Sequence, residues 1–148
     1  MLTSHLTNSV ETIYIDEVKS VRPDVVISAA VGTTMPGTRK ESVQGQVAWE
    51  WLDQAWIDAA FVLSYNSDTQ AVVDRNQRFR DATQNESSGL KVFPGLATHT
   101  IGKRGDVWSD LVVEQVNAVM HRRWEGQPLE PPARGVALFD DRFLVRPQ

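Results

Sequence analysis

Short uninterrupted apolar runs alternate along this chain with longer stretches in which apolar residues recur every three or four positions. Leu6, Val10, Tyr14, Val18 and Val21 follow the helical spacing and predict one apolar helix face. Arg22-Pro23-Asp24 ends it, because the residue before a proline is pushed out of the helical region. The β-branched run Val25 to Val31 then predicts a strand buried on both faces. The same order recurs three times. Gln44 to Gln54 predicts a short helix carrying Val47, Trp51 and Leu52, followed by a strand from Ala59 to Tyr65. Asn66-Ser67-Asp68 supplies turn and N-cap residues for a helix from Thr69 towards Gln84, broken by Ser87-Ser88-Gly89. A third strand, Lys91 to Ala97, precedes a helix capped by Ser109 and burying Val112, Val116, Val119 and either the Arg123 stem or Met120. Pro128 and Pro131-Pro132 form a stiff, extended connection to a fourth strand, Gly135 to Phe139. Helices alternating with short, fully apolar strands predict an α/β fold of four parallel units joined by right-handed crossovers.

With 148 residues, these units form a single domain over 1–148. Hydrophobic residues make up 41% and charged residues 23%, a globular balance that excludes disorder. No apolar run approaches the roughly 18 residues that span a bilayer, so no membrane span is expected. The first thirty residues lack the pattern of a signal peptide, and the compartment is left open. The absence of cysteine excludes a disulfide scaffold, thiolate zinc sites and a cysteine nucleophile. A net charge of -4 argues against a general nucleic-acid surface.

Four units fit either a small open doubly wound sheet or half of a closed barrel. A doubly wound nucleotide fold places a glycine-rich phosphate turn after its first strand. Here Gly32-Thr33-Thr34-Met35-Pro36-Gly37 matches neither dinucleotide nor P-loop spacing. A full (β/α)8 barrel takes about 250 residues, so this chain holds a little over half. An open half-barrel leaves two strand edges and an inner face to be covered. The expected partner is a missing N-terminal half or a second copy of the chain.

The string Glu17 to Val31 resembles the middle of the glycosyl hydrolase-like 10 family. Gln46, Trp51-Leu52 and Trp56-Ile57-Asp58 resemble that family's "Q-D-W-x-x-W-L … G-L-V-D" segment. Phe61-Val62-Leu63-Ser64-Tyr65 follows where the family has "V-x-P-M-x-Y". Val92-Phe93-Pro94-Gly95-Leu96 resembles its "v-y-P-G-I" strand, and Gly135 to Phe139 its closing "G-f-v-l-F" strand. Order and spacing match along nearly the whole chain. Departures are Val47-Ala48 where the family tends to have Asp-Trp, and Val62-Leu63 where it has Pro-Met. The resemblance implies strands five to eight of a (β/α)8 barrel similar to glycoside hydrolases, whose members are often secreted or lipid-anchored. It implies a carbohydrate ligand, a bacterial surface polysaccharide among the candidates. It also implies that the family's best candidate catalytic aspartate, in a "G-[IV]-H-x-D" strand, lies upstream of Met1.

Ligands of parallel α/β folds bind where strands end at their carboxyl side. That rim collects Thr33, Arg39, Tyr65, Asn66, Asp68, His99, Lys103, Asp106, Trp108, Asp140, Asp141 and Arg142. Glycoside hydrolysis needs two carboxyl groups, roughly 5 to 9.5 Å apart, and Asp68 with Asp140 or Asp141 are the acids available. The better match for Asp68 is a helix N-cap and for Asp140-Asp141 a solvated turn, so the sequence offers no convincing acid/base pair. Tyr65, Asn66, Asp68, His99 and Trp108 are the candidate substrate-binding residues, with Tyr65 equally suited to a core position and Trp108 better suited to stapling the Ser109 helix. Trp49, Trp51, Trp56 and Trp124 are expected to pack rather than bind. His5, His99 and His121 share no ligand spacing, so neither metal nor cofactor is expected. The leading expectation is a carbohydrate-binding half-barrel without turnover of its own. The rivals are an assembly module that closes a barrel with itself and a nucleotide-binding sheet.

Overall fold

The computed structural model describes residues 16–32, 47–98 and 108–139. Within them, α1 (residues 16–21) precedes β1 (Ser28–Val31), α2 (Ala48–Asp53) and β2 (Ala59–Leu63). Next come α3 (Thr69–Asp81), α4 (Glu86–Gly89), β3 (Val92–Ala97), α5 (Trp108–Val116) and β4 (Ala137–Phe139). The strands form one sheet in the order β1-β2-β3-β4, and every neighbouring pair is parallel. Spatial order equals chain order, so no switch point interrupts the sheet. Right-handed crossovers without a reversal carry every connecting helix to the same side. The result is a curled, half-barrel sheet.

Alternation along the strands assigns the faces. Ala60, Val62 and Val92 point to the helix side, where they pack with Trp49, Trp51, Leu52 and Phe79. Leu96 packs there with Val72, Val73, Ala118, Val119 and Leu129. Phe79 is 1% exposed and meets Trp49 edge-on, ring centroids 5.8 Å apart. The expected packing role of Trp49 and Trp51 holds. The opposite side of each strand carries Ser28, Ala30, Phe61, Leu63, Phe93, Gly95, Ala137 and Phe139, most of them exposed or half-buried.

That open side revises one expectation. Within the predicted strand Val25 to Val31, only Val31 is buried, while Val26 is 72% exposed and Ser28 and Ala30 are exposed on the helix-free side. β1 is an edge strand, and its inner side meets no described element. Val18 and Val21 on α1 are also exposed rather than forming a buried face. Lys19 anchors this region instead, donating to the Val25 carbonyl at 2.8 Å and pairing with Asp58 at 2.7 Å.

Two further elements depart from the apolar pattern. Ser87-Ser88-Gly89, expected to break a helix, lies inside α4. Asp53 supports the approach to it by accepting the Gln84 and Asn85 backbone N–H groups. Behind α5 the chain widens into a π-helical turn, Asn117–His121. The Ala118 and Val119 carbonyls accept from Leu129 and Ala133, seating the proline-rich connection on the helix. Arg80, buried on α3, donates to the Pro131 and Val92 carbonyls and joins the same connection to the start of β3. Burial pulls its pKa down to about 10, against the opposing pull of Asp81, so it stays charged at neutral pH.

Candidate functional site

The rim begins where β2 ends. Ser64 is buried, Tyr65 and Asn66 are half-buried, and Ser67 and Asp68 are exposed. Continuing the alternation of β2 places Tyr65 on the helix-free side, above Leu63. Gly95 and Ala97 are the small residues of β3 on this side, paired with Leu63 and Ala137 and with Phe139 respectively. Small residues on the middle strand let rings from β2 and β4 meet over it. The Tyr65 and Phe139 centroids are 5.9 Å apart at 56°. A Cβ on Gly95 would lie 3.0 Å from the Val62 carbonyl oxygen and 3.2 Å from Phe139 Cε2. Lower on the same side, Phe61 and Phe93 stack at 5.5 Å. Burial pushes the Tyr65 phenol above its ordinary pKa, so it remains a neutral hydroxyl at any physiological pH.

Hydrogen bonds fix the turn after β2. Asp68 Oδ1 accepts from the Gln70 and Ala71 N–H groups at 2.9 and 3.3 Å, which makes it the N-cap of α3. Its own N–H donates to Asn66 Oδ1 at 2.9 Å. Gln115 on α5 donates to the Asn66 carbonyl at 2.8 Å, and Arg75 on α3 to the Tyr65 carbonyl at 3.4 Å. Buried Asn76 donates to the Ser64 hydroxyl at 2.9 Å. At the end of β3, the Thr98 N–H donates to the Phe139 carbonyl at 2.6 Å.

The structure therefore brings Tyr65, Asn66 and Asp68 together on one turn. His99, Asp140 and Asp141 lie outside the described residues, as do Thr33, Arg39, Lys103, Asp106 and Arg142. Trp108 begins α5, one residue before the predicted cap Ser109. Glu86 and Glu114 sit on helices, the latter accepting from the Trp124 indole at 3.1 Å. Phe139 was not among the expected binding residues. It was read only as the last residue of the fourth strand, and the register across Ala97 shows which ring it meets.

A cavity of about 430 Å³ lies elsewhere, between α3 and residues 126–130. Its amides are engaged in binding that segment to the helix. Gln70 donates to Asp74 and accepts from the Gln127 N–H, and Gln77 accepts from the Glu130 N–H. None of the expected site residues lines it. No group of three or more metal-ligating side chains occurs among the described residues. No helix among them is long and apolar enough to cross a membrane. Compared with protein-family models, with curated proteins and with solved structures, the chain matches none.

Proposed function

We propose that this chain is the C-terminal half of a glycoside hydrolase-like (β/α)8 barrel, supplying strands five to eight and a carbohydrate-binding rim. One observation carries the reading: a parallel sheet wound in one direction, with Tyr65 and Phe139 paired at the carboxyl ends of its strands on the helix-free side. Aromatic rings offer an apolar face to a sugar ring, and a phenol adds a hydrogen-bonding tip. Asn66 and Asp68 supply polar groups beside them.

The isolated chain binds sugar weakly and does not turn it over. Asp68 is engaged as a helix cap, and hydrolysis needs a second carboxyl group flanking the bond. The complete protein would draw its principal acid from the other half. Calorimetric titration with an oligosaccharide panel tests this. Binding that is lost in Tyr65→Ala, with no reducing sugar released, supports the proposal. Failure of every oligosaccharide to bind, or hydrolysis abolished by Asp68→Ala, overturns it.

A second reading is favoured by the half-exposed Phe61 and Phe93 on the open side. In it the chain is an interaction module, and two copies contribute eight strands to one closed barrel. Light scattering separates the readings, because a monomer of 16.6 kDa excludes self-assembly.

A further inference from the structure

The rim is held from behind by polar side chains that a purely apolar core would not contain. Gln115 is 1% exposed, Asn76 and Thr98 are 0%, Ser64 is 1% and Thr69 is 4%. All five lie near the carboxyl ends of β2 and β3 or on the helices behind them. Burying a carboxamide costs free energy unless its hydrogen bonds are made. Gln115 makes one across 49 residues of sequence, to the backbone carbonyl of Asn66.

We infer that Gln115 is a positioning residue of the rim: its carboxamide, donated from α5, holds the Tyr65–Asp68 turn in its binding arrangement. The inference rests on the proposed carbohydrate site for its purpose, but not for its physical content. Gln115 holds the Asn66 carbonyl at 2.8 Å, while Arg75 reaches the adjacent Tyr65 carbonyl at 3.4 Å. Two consecutive peptide groups are thus gripped from two different helices. The Asn66 side chain then receives the Asp68 N–H, and Asp68 caps α3. Tyr65, at the head of this series, can keep its ring against Phe139 only while the turn stays seated. Gln115 thereby ties the turn after β2 to the helix that follows β3 in the chain.

Gln115→Met keeps the length of the side chain and removes the donor. Hydrogen–deuterium exchange at the amides of Asp68, Gln70 and Ala71, whose acceptors lie on this turn, should rise about tenfold, as expected when a local opening loses one buried hydrogen bond. Amides of Ala60 and Val62 in β2 should keep their wild-type rates. Spectrophotometric titration in a Tyr14→Phe background, which leaves Tyr65 as the one tyrosine, should show its phenol moving down towards the ordinary value. Unchanged exchange and titration overturn the inference. So does loosening spread equally over β2, which would make Gln115 a packing residue. If Gln115→Met does not fold, the side-chain amide protons of Gln115 in the wild-type chain decide by NMR: slowed exchange supports the grip on Asn66, and exchange at the free-carboxamide rate overturns it. A wild-type chain that binds no oligosaccharide removes the carbohydrate reading and leaves these exchange results standing.

Discussion

Asp58 shows how one side chain joins sequence-distant backbone. Burial raises its pKa, but the Lys19 ammonium at 2.7 Å, the Ile27 N–H at 2.8 Å and the charge of Lys91 outweigh that. Its carboxyl is therefore held below the ordinary carboxylate range. A carboxyl whose folded pKa is depressed stabilises the fold above its unfolded pKa, about 3.9. That contribution is lost as pH falls through the lower, folded value. Asp53 behaves alike: burial raises it, and donors from Gln84, Ser88 and Asn85 bring it down. The melting temperature should fall as pH drops below about 4, and Asp58→Asn should flatten that fall. An acid limb equally steep in the variant would rule Asp58 out as a contributor. Gly95 makes the second residue-scale prediction. A methyl there meets a carbonyl oxygen and an aromatic carbon closer than ordinary contact. Gly95→Ala should cost about 1–3 kcal/mol in denaturant unfolding and shift the Tyr65 and Phe139 ring resonances together.

Among the elements, α3 carries the most burial and the clearest local signals. Asp68 as N-cap and a helix starting at Thr69 were legible from residue order, but the expected end towards Gln84 overshot, because the helix stops at Asp81. Asp68→Ala should cost about 1 kcal/mol, and Phe79→Ala about 3–5 kcal/mol through the cavity left beside Trp49. Finding the Phe79 change no worse than the cap change would contradict the packing described. The strands were legible too, because continuous apolar runs bounded by turn residues have few alternatives. Their ends were not. Val25 to Ile27 looked like strand from β-branching, yet pairing begins at Ser28 against Ala59. Propensity cannot reveal where a neighbouring strand starts. The π turn after α5 was equally hidden, since it depends on Leu129 and Ala133 returning to two carbonyls. The grip of Gln115 on Asn66 was hidden for the same reason. A polar residue on an apolar helix face signals a partner without naming it.

For the molecule as a whole, the order of the strands matters more than their number. Parallel units are predictable from alternating elements, but whether they wind one way or reverse is a tertiary fact. Here β1-β2-β3-β4 resolves it, and the helix-free side follows. The rim was legible as a principle of parallel folds, and Tyr65, Asn66 and Asp68 do share it. The Phe139 ring was missed because an apolar residue carries no chemical signature of its face.

Chemical-shift mapping of the isotope-labelled chain during titration with oligosaccharides tests most directly the claim that function resides at the carboxyl ends of the strands. Shifts should concentrate at residues 65–68, 97–98 and 139, with the cavity-lining Gln77 and Gln127 unmoved. Shifts centred on that cavity, or on the helix side of the sheet, would contradict it.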